Sequence, residues 1–152
     1  ANLAAKDMDI EEMGDPFALM EARKALEPQV AFWAAKMAQP DDVTEMEKII
    51  AEMAVVLAQG EHAGDQDKRL HLAIARASRN PVFLKFMNEI IANMGKQLWL
   101  TLKDKSYKVG GRNERYHEEH ISLVEAIRRG NARRAEKIMS QHLHGIEEDL
   151  RH

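Results

Sequence analysis

The chain has 152 residues, 45% of them hydrophobic and 31% charged, with a formal net charge of -3 and no cysteine. That length suits one domain with a core of its own, and the mixture is that of a folding globular chain rather than a disordered one. Without cysteine there are no disulfides, thiolate zinc sites or cysteine nucleophiles, so any metal must use nitrogen and oxygen ligands.

No apolar run approaches the roughly 18 to 20 residues of a spanning helix, and the N-terminus lacks a basic n-region with an h-region, so the expected setting is the cytoplasm. The basic residues are scattered, which is not the footprint of a chain that grips nucleic acid by itself.

Residues 1–14 carry mixed charge and read as a linker or lead-in segment. From Asp15-Pro16 the period is helical, with Leu19, Leu26, Val30, Trp33 and Met37 on one stripe that Gln39-Pro40 closes. Asp41-Asp42 with Glu45 resembles an N-cap and capping box, and Val43, Met46, Ile49, Ile50, Met53 and Leu57 carry a second helix to Gly60. A third helix spans about Asp65 to Ser78. Asn80-Pro81 then caps a fourth, strongly apolar helix to about Leu102, expected to be central. After a polar segment ending in Gly110-Gly111, a fifth helix runs from near Arg112 to Arg129. Gly130-Asn131 supplies a C-cap glycine and an N-cap asparagine in one turn, and a sixth helix follows from Ala132 to about Leu150. No stretch alternates as a strand. The expected fold is all-α, an antiparallel bundle of about six to seven helices around a central ligand pocket, formed by residues 15–152.

Polar residues interrupt the apolar stripes at informative places. Arg23 takes a core-facing position in the first helix, where a buried guanidinium must meet a carboxylate of the protein, such as Glu27 one turn on, or of a ligand. Asp67 and His71 lie four apart on the third helix, a spacing that stacks a carboxylate and an imidazole on one face. Alone, that pair is more often a surface hydrogen bond. His120 and His142 continue the apolar stripes of helices five and six. They stand about ten residues before and about eleven after the Gly130-Asn131 turn. At about 1.5 Å per residue they are level in an antiparallel hairpin. Asp67, His71, His120 and His142 therefore make a set of three imidazoles and one carboxylate suited to a divalent cation, Zn first, with Ni, Mn or Fe as alternatives. His62, His144 and His152 are expected outside the set. His117, three residues before His120, sits nearer the flank.

These residues resemble a known family, the effector-binding domain called FCD of GntR-type bacterial transcription regulators of the FadR subfamily. The resemblance spans about Pro16 to Leu150. It rests on EARKALEP at 21–28, on DKRLHLAIARASRNP at 67–81 with its D-x-x-x-H, and most specifically on EEHISLVEAIRRGNARRAEKIMSQHL at 118–143. It implies a helical bundle whose Asp67, His71, His120 and His142 hold a metal at the floor of a central pocket, with Arg23 facing that pocket. A small organic acid or sugar acid would complete the metal's coordination. It also implies a homodimer and an N-terminal winged helix-turn-helix, absent from this chain, through which operator DNA is bound.

The expectation is thus a sensor without catalytic residues. The main alternative is a mononuclear, hydrolase-like metalloenzyme on the same Asp/His site. It would need a general base, and Glu118 and Glu119, near in sequence, are expected to face away from His120. A di-iron oxidase would need two E-x-x-H motifs where only Glu114 to His117 fits. A purely structural domain, with histidines as core residues, is the third alternative.

Overall fold

A computed structural model describes residues 15–94 and 108–152. Among them are six helices: α1 Pro16–Met37, α2 Pro40–Ala58, α3 Gly64–Ala77, α4 Pro81–Met94, α5 Arg112–Arg128 and α6 Ala132–Arg151. No strand occurs among the described residues. The expected lead-in segment, the far end of the fourth helix and most of the polar segment after it lie outside them.

The helix starts follow their local chemistry. Asp15 accepts from the Phe17 amide at 2.9 Å with Pro16 at the first helical position, and Asn80 Oδ1 accepts from the Val82 amide at 2.9 Å ahead of Pro81. In α2 the start lies earlier than the Asp41-Asp42 reading. Gln39 is the N-cap, Pro40 opens the helix, and the Gln39 amide donates to Asp42 Oδ2 at 2.9 Å. Between α5 and α6, Gly130 takes a φ of 71°, and Asn131 Oδ1 accepts from the Arg134 amide at 3.2 Å.

The largest interface joins α1 to α6. Phe17 meets Arg151, Lys24 meets Glu147 and Gln29 meets Glu136, so the two helices run antiparallel. Buried Ala31, Ala34 and Ala35 on α1 and Ala135 on α6 keep the side chains between them small, which sets how near two helices can come. Helices α2 and α3 are also antiparallel, joined at their edges by Glu52 with Arg69 and Asp42 with Arg79. Helix α3 packs on α1 and α2, and α5 packs on α6, α2 and α1. Met20, Met46, Ile49, Met53, Leu70, Ile74, Leu123, Ile127, Met139 and Leu143 fill the space between.

Two expectations are corrected. The described part of the fourth helix, Pro81–Met94, packs mainly on α3 and more lightly on α1, and its Val82 and Phe86 are 57% and 53% exposed, so among the described residues this stretch is peripheral. Apolar content measures how much a helix can bury, not how many neighbours surround it. Trp33 and Met37 are also exposed, because the buried face of α1 runs instead through Met20, Arg23, Glu27, Ala31 and Ala34. Two charged residues occupy the middle of that face, which displaced the apparent stripe to larger apolar neighbours.

Candidate metal centre

Three helices bring four side chains to one point. Asp67 and His71 stand one turn apart on α3, His120 projects from α5, and His142 from α6. The three imidazoles are buried. The turn at Gly130-Asn131 sets His120 and His142 level, with ring centroids 4.6 Å apart. His71 lies 5.9 Å from the His120 ring and 6.3 Å from that of His142.

Each residue of the set offers one ligand atom, and the four atoms lie within 4.8 Å of one another. Asp67 Oδ1 is 3.1 Å from His120 Nε2 and 3.3 Å from His71 Nε2. The Nε2 atoms of His71, His120 and His142 are all buried and make no well-formed hydrogen bond among the described residues, the Asp67 contacts being ionic. Three orphaned imidazole nitrogens are costly to keep in a core, and their convergence beside a carboxylate suits a divalent cation. Such a cation bonds at about 2.0 to 2.2 Å, so a small inward movement would close the set. Where the structure places His62, His144 and His152 is outside it: all three are exposed.

Two glutamates fix which nitrogen each ring presents. Glu27 Oε1 contacts His71 Nδ1, and Glu119 Oε1 lies 2.8 Å from His142 Nδ1. With Nδ1–H donating to these carboxylates, Nε2 is the nitrogen of both rings that faces the shared point, and on His71 a cation there would displace its proton. Glu119 is expected only to face away from His120. It lies between α5 and α6 against His142, while Glu118 is exposed. Glu27 in turn accepts from Arg23 Nε at 2.5 Å, both side chains being buried. The guanidinium therefore meets a carboxylate of the protein, and its partner is a supporting residue of the histidine site.

The charges follow from these contacts. Burial disfavours ionised Glu27, but Arg23 and His71 outweigh it and hold its pKa at about 2. Burial likewise works against ionised Asp67, and the facing His71 and His120 still hold it well below the usual carboxylate range. His71 lies between both carboxylates, which overcome its burial and raise its pKa to about 9. Burial lowers His120, and it lowers His142 well below the ordinary value with help from the neighbouring rings. Burial also raises Glu119.

A cavity of about 30 Å3 opens on this point. Met53, Leu57, Ala63 and Ile146 give it apolar walls, and Asn113, Tyr116 and His117 of α5 line it together with Asp67, His120 and His142. Arg23 is not part of the lining. The Tyr116 hydroxyl donates to Asp149 of α6, which closes the hairpin beside the site.

A family model described as FCD domain matches residues 18–145. The chain is 30% identical over 146 residues to the Uxu operon regulator of Haemophilus influenzae, covering 93% of this chain and 53% of that protein. It is 32% identical over 138 residues to the HTH-type transcriptional regulator LutR of Bacillus subtilis, covering 87% and 60% respectively. The chain thus spans a little over half the length of these relatives. Among solved structures, a Streptococcus agalactiae GntR superposes with a TM-score of 0.75 at 20% identity, over 95% of this chain and 62% of that one, which speaks for the fold.

Proposed function

From a chain that belongs to the FCD domain family of GntR-type transcriptional regulators, and so is an effector-binding domain rather than an enzyme, we propose a sensor of small carboxylates that binds them beside a divalent metal ion. Asp67, His71, His120 and His142 would hold the cation. The observation that carries this reading is the convergence of three buried Nε2 atoms, none in a well-formed hydrogen bond among the described residues, with Asp67 at one point. Zn is the first choice for such a ligand set, with Ni, Mn and Fe as alternatives. When bound, the cation supplies Lewis-acidic positions to an anionic oxygen.

The ligand class follows from the ion's open positions rather than from net charge. Arg23 and Glu27 cancel each other, and Asp67 together with Glu119 beside His142 offsets a dication. Four protein ligands leave room for oxygen donors. A carboxylate supplies one, and a 2-hydroxy, 2-keto or sugar acid adds a second oxygen. Arg23 serves this site from behind, through Glu27.

Sensing requires two arrangements of the domain that the acid binds unequally. The cation's ligands come from α3, α5 and α6, and the His71–Glu27 contact couples α1 to them. A shift at the site therefore reaches the helix that follows residues 1–14. In the whole regulator, a homodimer in the cytoplasm, an N-terminal winged helix-turn-helix would convert that shift into a change of affinity for operator DNA.

Elemental analysis of purified protein, with thermal melts after chelation, reloading and addition of acetate, L-lactate, pyruvate or D-gluconate, tests the reading. Expected are about one metal ion per chain, a melting temperature that falls with chelator, and a further rise with an acid only in the loaded protein. No metal under any loading condition would remove the reading.

A further inference from the structure

The fifth helix carries a polar side chain that the proposed metal set leaves unused. Asn113, His117 and His120 follow one another at intervals of four and three residues, so they share a face of α5, and all three line the cavity. His120 belongs to the ligand set. His117 is outside the group of four converging ligand atoms, yet its Nδ1 is buried with no hydrogen-bond partner among the described residues. A buried imidazole nitrogen without a partner is costly to keep.

A carboxylate that gives one oxygen to a cation keeps a second oxygen whose lone pairs need donors. Among the described residues the wall next to the cation supplies them, since Met53, Leu57 and Ile146 opposite have no polar hydrogen to offer. Resting on the carboxylate-sensor reading, we propose that His117 is a specificity-determining residue that donates from Nδ1 to the oxygen of the bound acid that the cation does not take. Asn113, one turn earlier on the same face, is the next polar group along that wall. His117 thereby recognises the anion without holding the metal.

The test uses the metal-loaded chain with His117→Phe, which keeps a ring of similar size, and His117→Asn, whose amide nitrogen replaces Nδ1. Metal content is measured beside calorimetric titration with acetate, L-lactate, pyruvate and D-gluconate. His117→Phe is expected to keep wild-type metal content while its affinity for the acids falls at least about tenfold, as loss of a hydrogen bond to a charged group implies. His117→Asn is expected to recover most of that loss. Unchanged acid affinity in His117→Phe would overturn the proposal, and so would a loss of metal, which would make His117 a ligand of the cation. If the wild-type chain holds metal but binds none of the four acids, the carboxylate reading itself falls and takes this assignment with it.

Discussion

Glu27 of α1 and His71 of α3 meet across a fully buried interface, Oε1 against Nδ1, 44 residues apart in the chain. The glutamate is anionic there because Arg23 and His71 overcome its burial. A carboxylate in this position fixes the ring's tautomer and increases the basicity of the nitrogen on its far side.

Glu27→Gln should therefore weaken metal binding by about 10- to 100-fold without removing any atom of the four-residue ligand set. Competition against a chelating dye measures it. Wild-type affinity in a folded Glu27→Gln chain would show that the contact only packs.

Arg23→Met should destabilise the chain by about 3 to 5 kcal/mol, the usual cost of removing one partner from a buried ion pair. Removing both charges, in Arg23→Met with Glu27→Gln, should cost less than the sum of the two single changes. Urea unfolding of the four proteins, metal-free, gives the coupling directly. Additive losses would mean that the two side chains do not depend on each other.

The metal-free chain should be most stable near pH 6.5. His71 is raised from 6.5 to about 9 by Glu27 and Asp67 against its burial, so the folded state binds more protons than the unfolded one in that window. Its contribution is complete below about 6.5 and is lost as pH rises through about 9. His120 and His142 are lowered, first by burial, so the folded state binds fewer protons and their contribution is lost as pH falls below 6.5. Melting temperatures across pH should trace a maximum, and loading the metal, which takes the place of the His71 proton, should flatten the alkaline side. A metal-free chain whose stability only rises with pH would contradict the placement of His71 between two carboxylates.

Metal should also redistribute protection from hydrogen exchange. Its proposed ligands join α3, α5 and α6, so amides near 67–71, 120 and 142 should slow on loading, while the edge of the bundle at α4 stays unchanged. In His142→Ala the difference between loaded and chelated protein should vanish. Equal slowing throughout would mean that the cation acts on global stability alone.

Most helix ends and the clustering of Asp67, His71, His120 and His142 were legible in the sequence for one reason: both are written in local spacing. Asp15-Pro16, Asn80-Pro81 and Gly130-Asn131 are short-range cap chemistry, and the level of His120 with His142 follows from counting residues across a tight turn. Glu27 was legible only as the neighbour of Arg23, because one carboxylate oxygen satisfies the local guanidinium while the other reaches a helix that spacing alone cannot place. Two opposite charges at i, i+4 inside a buried stripe were the available signal, since such a pair has lone pairs to spare for a third group. The contact of Glu119 with His142 was not legible for a similar reason: its position relative to His120 on the same helix says little about His142 on the next one. The peripheral place of α4 depends on what its neighbours cover, which no pattern within the helix records.

The turn at Gly130-Asn131 touches none of the four clustered residues, yet it works as their gauge. One residue inserted between His120 and His142 would rotate everything beyond it by about 100° and advance it by about 1.5 Å, turning the second imidazole away from the first. Residues 121–141 can therefore vary in identity much more freely than in number. A deletion in the helical stretch on either side of that turn, well away from the four side chains, would separate the two imidazoles as surely as the loss of one of them.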